Sequence, residues 1–178
     1  GFTSGQQGFA VASAIYGCLF GALVAGYLTK AISRKHTLIL SAILFIVSAW
    51  GSGVADSYTS LVIYRIIGGF GIGLASMGAP MLIAEMAPAK DRGRFVSLYQ
   101  LAIVIGFFVV FLATYFLGGG NTADMNADQI AALNEYNTTR GWRVMFWSEL
   151  IPAAAFLILL FFVPHSPRWL MMAGKEVQ

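Results

Sequence analysis

Apolar residues fall in long unbroken blocks rather than alternating with polar ones, and short charged connections separate the blocks. Five blocks are of spanning length, about 8–29, 36–55, 61–84, 95–117 and 142–163, each close to the ~20 residues that cross a bilayer core as a helix. An isolated strand could not satisfy its backbone in lipid, so each block predicts a transmembrane helix and the whole an all-α membrane bundle. The stretch 118–141 is too polar to span and is expected as an outer loop. Within it, Asn126 followed by Gln129 has the spacing to cap a short helix over 127–133.

The connections alternate in charge. Lys30, Arg34 and Lys35 follow the first block, Lys90, Arg92 and Arg94 the third, and Arg168 and Lys175 the last, whereas Asp56, Asp124, Asp128 and Glu135 occupy the other connections. The positive-inside rule places the basic connections and the C-terminus in the cytoplasm, with residue 1 outside, in a multi-pass protein of the cell membrane. A chain that starts outside, crosses five times and ends inside is odd for a complete unit. A further helix before Gly1 would complete a six-helix half of the kind transporters build from repeats. The expectation is therefore a partial N-terminal transmembrane bundle over residues 1–178, with its first helix missing.

Composition narrows the class. The chain is 58% hydrophobic and 11% charged, with a mean hydropathy of +0.74, far from the balance of a soluble domain. There is no initiator Met and no basic region before the first apolar block, so the start is read as neither natural nor a signal peptide. The net charge of +3 sits between apolar helices rather than on a polar face, which argues against nucleic acid. The single cysteine, Cys18, can form no intrachain disulfide and reads as a small packing residue.

Small residues four apart at Ser13, Gly17, Gly21 and Ala25 form a stripe along the first helix that permits close approach of a neighbour. In the third helix, Gly69 and Gly73 share one face, and Gly71, Ala75 and Ala79 another. A nucleotide-binding glycine pattern would need a preceding strand; inside an apolar helix, close packing is the better account. Pro80 is expected to kink that helix one turn before its end. Asn137-Thr138-Thr139 is formally a glycosylation sequon, which chance explains better.

Charges and amides inside the apolar blocks carry the candidate chemistry. Arg65 and Glu149 each lie about 7 to 10 Å below the outer boundary on helices that run inward. Opposite charges at matched depth are expected to pair or share a polar cavity, the plainer alternative being that both reach outward to the interface. Gln100, Ile103, Val104 and Phe107 recur at helical spacing and share a face. The amide suits a hydroxyl-rich, uncharged ligand, or equally a hydrogen bond between helices. Glu85, Arg92, Arg94 and the Lys30–Lys35 cluster form a charged layer at the cytoplasmic boundary, extended by Arg168; it suits either an ion-pair latch or a solvated surface. No nucleophile–base pair or metal-ligand spacing is present, so no enzyme and no cofactor are expected.

At these residues the chain resembles the sugar porter family of the major facilitator superfamily, most closely its bacterial D-xylose/proton symporter branch. The motifs that carry the resemblance are RIIGGFGIGLASM, PMLIAEMAPAKDRG, the GWR at Gly141 to Arg143, and SPRWL. It implies two six-helix halves with a monosaccharide bound between them by alternating access, this chain holding helices two to six of the first half. The absent partners would be helix one and the C-terminal half. By the same resemblance Gln100 hydrogen-bonds sugar, Ile103, Val104 and Phe107 line its wall, and Arg65 and Glu149 surround a protonatable aspartate on helix one. The proton would be the coupling ion. Glu85, Arg92, Arg34, Lys35 and Arg168 would form the cytoplasmic gate. A facilitative uniporter and a transporter-like sugar receptor without turnover are the alternatives. Departures from the family pattern include Lys30 for an acid, Ser33 for glycine, Leu82 for a common tyrosine, Phe107 for glutamine and His165 for glutamate.

Overall fold

The computed structural model describes residues 4–120 and 125–164. All regular structure among them is helical: α1 Ser4–Ala31, α2 Arg34–Val54, α3 Tyr58–Met86, α4 Arg92–Leu117, α5 Ala127–Tyr136, a π-helical segment Asn137–Gly141, α6 Trp142–Ser148 and α7 Leu150–Phe162. Among the described residues five helical stretches are long and apolar enough to cross a membrane, the last running from Ala127 to Phe162.

Helix α3 is the hub, packing most extensively on α1 and then α2. Buried Ala10, Ser13, Gly17, Gly21, Ala25 and Thr29 make one stripe down α1. Its glycines meet α3 backbone directly: a methyl at Gly17 would overlap the Ile66 carbonyl, and one at Gly21 the Phe70 carbonyl. The contact is reciprocal, because methyls at Gly69 and Gly73 would overlap the carbonyls of Ala14 and Cys18. Lipid gives little hydrophobic drive between helices, so this backbone-to-backbone approach is where dispersion holds them. The other glycine face of α3 turns to α2, with Gly68 against Ser48, Gly71 against Leu44 and Phe45, and Gly78 against Leu38.

Near the Arg34 end, Leu38, Ala42, Leu82 and Leu160 form a small core joined by Phe156 and Leu157. Leu82 is thus a packing residue, 5% exposed. Helix α4 contributes no buried residue. It ends at Gly118-Gly119-Gly120, where Gly119 and Gly120 take φ of 106° and 64° and the Gly120 N–H returns to the Tyr115 carbonyl at 2.9 Å. That left-handed closure is open chiefly to glycine.

Within the stretch 118–141 the short helix expected over 127–133 forms and runs further than expected: residues 127–141 are helical and continue into the last span. The capping pair forms, the Asn126 N–H donating to Gln129 Oε1 at 3.0 Å, and Ala, Leu and Gln sustain the helix behind it. Polarity kept this segment out of the predicted span but does not oppose helix. Thr138 and Thr139 hydroxyls donate to the carbonyls of Asn134, Glu135 and Tyr136 at 2.7–3.3 Å. Such back-bonding competes with the α-helical ladder and accounts for the wider π turn there. Asn137 is partly buried, and its Nδ2 donates to the Gly118 carbonyl at 3.0 Å. The sequon amide is thereby engaged in tying α4 to this rod.

Proline has different outcomes in two helices. Helix α3 continues through Pro80 to Met86, so the expected kink does not interrupt it. Pro152 leaves the Ser148 carbonyl without its helical donor, and the rod breaks at Glu149, whose N–H bonds three residues back to Phe146 at 3.1 Å.

Ser33 stands before α2 with φ 106° and ψ 154°, a region occupied almost only by glycine at a cost of about 1–3 kcal/mol for other residues. Its hydroxyl accepts from the His36 N–H at 3.5 Å, and exchange of a serine cap for glycine costs only a few tenths of a kcal/mol. Ser33→Gly in the full-length protein is therefore expected to stabilise it by about 1 kcal/mol, read as a higher thermal midpoint in detergent. A lower midpoint would mean that the hydroxyl's bonds outweigh the strain.

Candidate functional site

Two clusters of charge are built into the bundle. The first is a cavity of about 330 Å³ lined by α1, α2, α3 and the α6–α7 break, with Arg65, Glu149 and Ser48 as its polar side chains. Phe45, Ile72, Pro152 and Phe156 make most of its apolar wall, and Gly68 and Gly69 leave it open beside α3. The Arg65 guanidinium lies 4.7 Å from the centroid of the Phe146 ring, a cation–π contact that partly replaces hydration. Ser48 is held by donating to the Tyr64 carbonyl at 2.7 Å. Arg65 and Glu149 are thus brought to one cavity from α3 and from the helix break, 84 residues apart in sequence. Sharing a polar cavity is what makes two such charges tolerable at membrane depth.

The second cluster closes the other end of the bundle. Arg34 Nη2 pairs with Glu85 Oε1 at 2.9 Å, the two side chains 9% and 11% exposed, and its Nη1 donates to the Thr29 carbonyl at 3.1 Å. Lys35 Nζ donates to the Phe161 carbonyl at 3.1 Å. One dipeptide at the start of α2 thereby ties down the ends of α1, α3 and α7. The pair forms with Lys30 exposed nearby in sequence. Arg92 is exposed at the first residue of α4, and Arg168 and His165 lie outside the described residues.

Gln100, Val104 and Phe107 are exposed and Ile103 is half-buried, all on α4. None of them lines the Arg65–Glu149 cavity, so the amide face and the charged cavity are separate features of this chain. A pair that sequence reading did not single out joins the opposite end: Arg143 Nη2 meets Asp56 Oδ1 at 2.9 Å, across 87 residues, and also donates to the Ala55 carbonyl at 3.4 Å. Asp56 as the acid of its connection and the GWR triplet were the available signals. Among the described residues no group of three or more His, Cys, Asp or Glu side chains is placed to hold a metal ion.

A multi-span helical bundle with an arginine and a glutamate at one membrane-depth cavity and an ion-paired corner at one end defines a polytopic membrane protein. Residues 3–178 match the family model "Sugar (and other) transporter", and the chain belongs to that family. It is 43% identical to the D-xylose-proton symporter of Escherichia coli K12, over 96% of this chain and 36% of that protein. It is 40% identical to the glucose transport protein of Synechocystis, over 94% of this chain and 35% of that protein. With the arabinose-proton symporter of E. coli K12 the identity is 34%, over 99% and 33%. The fold matches the xylose transporter of E. coli in a partially occluded inward-open conformation with a TM-score of 0.83 at 41% identity, covering 96% of this chain and 42% of that one. The proton:xylose symporter bound to 6-bromo-6-deoxy-D-glucose gives 0.83 over 96% and 37%. The architecture is therefore that of the major facilitator superfamily, in a chain spanning about a third of the length of the curated relatives it matches.

Proposed function

We propose that the full-length protein is a proton-coupled monosaccharide symporter of the cell membrane, working by alternating access. The observation that carries this reading is the meeting of Arg65 and Glu149 in one cavity within a chain 43% identical to a D-xylose-proton symporter. Gln100 orients sugar hydroxyls, with Ile103, Val104 and Phe107 as the adjoining wall. Arg65 and Glu149 set the proton affinity of an acid contributed by helix one. When that acid takes a proton it releases Arg65, which shifts the balance between the two facing states. Glu85, Arg92, Arg34, Lys35 and Arg168 steady the end that faces the cytoplasm, residue 1 being on the outer side by the positive-inside rule.

Glu149→Gln removes the negative charge opposed to Arg65 and leaves the α4 amide untouched. Proton-driven sugar accumulation by the full-length variant is expected to fall about tenfold, the scale of a one-unit change in proton affinity, while exchange of labelled for unlabelled sugar continues. Accumulation equal to the parent protein would remove Glu149 from coupling.

A further inference from the structure

The end of the bundle that carries Asp56 holds a second recess, of about 340 Å³, lined by Thr139, Arg140, Arg143, Val144 and Trp147. Arg140, Arg143, Val144 and Trp147 follow one another at i, i+3, i+4 and i+7, the spacing of one helix face. They lie where the polar π-helical segment passes into the apolar span. Arg140 and Arg143 are its cationic lining residues, and Val144 and Trp147 its apolar ones. Trp147 is itself seated against Gly53 of α2, where a methyl would overlap the indole, so the apolar wall is fixed.

The charges are unequally committed. Arg143 is paired with Asp56 and stacked 5.0 Å over the Trp142 ring, which holds its guanidinium at the rim with further N–H donors to spare. Arg140 is exposed and makes no ion pair with the described residues. Asp56, 86% exposed, is the carboxylate that opposes an incoming anion, and it faces solvent, where water screens it. The recess thus offers a cationic rim over an apolar wall at an interfacial depth, a match for an amphiphile with an anionic head.

We propose that this recess seats a glycerophospholipid, its phosphodiester on Arg140 and Arg143 and the root of its acyl chains on Val144 and Trp147. The apolar wall favours a lipid over free phosphate, which would use only the rim. A seated lipid would brace the junction between the polar rod and the last span, beside the break that carries Glu149.

The test is delipidated full-length protein in detergent, titrated with phosphatidylglycerol and, separately, with inorganic phosphate, bound molecules being counted by native mass spectrometry. Arg140→Gln is expected to weaken the tightest-bound phosphatidylglycerol about tenfold, the effect of one charge-assisted contact, with the thermal midpoint of the lipid-free protein unchanged. Arg94→Gln, at the opposite end, should leave binding as it was, and Asp56→Asn should not weaken it. Equal retention by Arg140→Gln, or an equal loss in Arg94→Gln, would overturn the assignment. Saturation by inorganic phosphate with displacement of the lipid would make the rim a free-anion site and overturn it equally.

Discussion

Gln100→Ala in the full-length protein is expected to abolish sugar-stimulated uptake while the protein continues to reach the membrane. The amide donates and accepts at once, so one side chain can engage two neighbouring hydroxyls of a sugar. Truncation leaves those hydroxyls desolvated without partners, at about 1–3 kcal/mol each. Two such losses, about 2–6 kcal/mol together, weaken binding by at least about thirtyfold, which takes uptake at subsaturating sugar toward background. Folding is not at risk, because Gln100 is exposed on a helix with no buried residue. Uptake at the parental rate, measured with labelled sugar at matched expression, would remove Gln100 from the binding site.

Gly73→Leu is expected to be as severe for a different reason. A Cβ there would overlap the Cys18 carbonyl and crowd the Ala22 nitrogen, and backbone atoms cannot rotate aside. Helices α1 and α3 would have to part along the seam where Gly17, Gly21, Gly69 and Gly73 interlock. Overpacking typically costs about 1–3 kcal/mol and more where the neighbour is rigid, a large part of a marginal stability. The variant should elute as aggregate in fluorescence-detected size exclusion. Gly78→Ala is the contrast, since its methyl would meet the end of the Leu38 side chain at 3.2 Å, which can move; a near-parental profile is expected. A monodisperse Gly73→Leu protein with an unchanged melting midpoint would contradict the seam.

The membrane helices were legible because lipid imposes a length and forbids unpaired backbone. The stripe at Ser13, Gly17, Gly21 and Ala25 announced a close contact but could not say with what, since a four-residue period describes one surface and not its partner. The reciprocal faces on α1 and α3 supply that answer. The Asn126–Gln129 cap announced a short helix over 127–133, but its run on through 141 into the last span was not legible, because polarity reports what a segment avoids, whereas helix there is decided locally by the cap and the threonine hydroxyls. Arg65 and Glu149 could be matched in depth from the sequence, yet Phe146 beneath the guanidinium and the helix break at Glu149 needed coordinates. The layer at Arg34 and Glu85 was legible as charge, while the bond to the Thr29 carbonyl was not. Arg143–Asp56 escaped because an ion pair across 87 residues leaves no local pattern.

The most direct test of proton-coupled sugar transport is reconstitution of the full-length protein into liposomes enclosing a pH-sensitive dye, with D-xylose added outside under an imposed pH gradient. The account predicts that labelled sugar and protons enter together, that the lumen acidifies only when sugar is present, and that collapse of the gradient stops accumulation above the external concentration. Sugar entry that leaves lumenal pH unchanged and is indifferent to the gradient would contradict it.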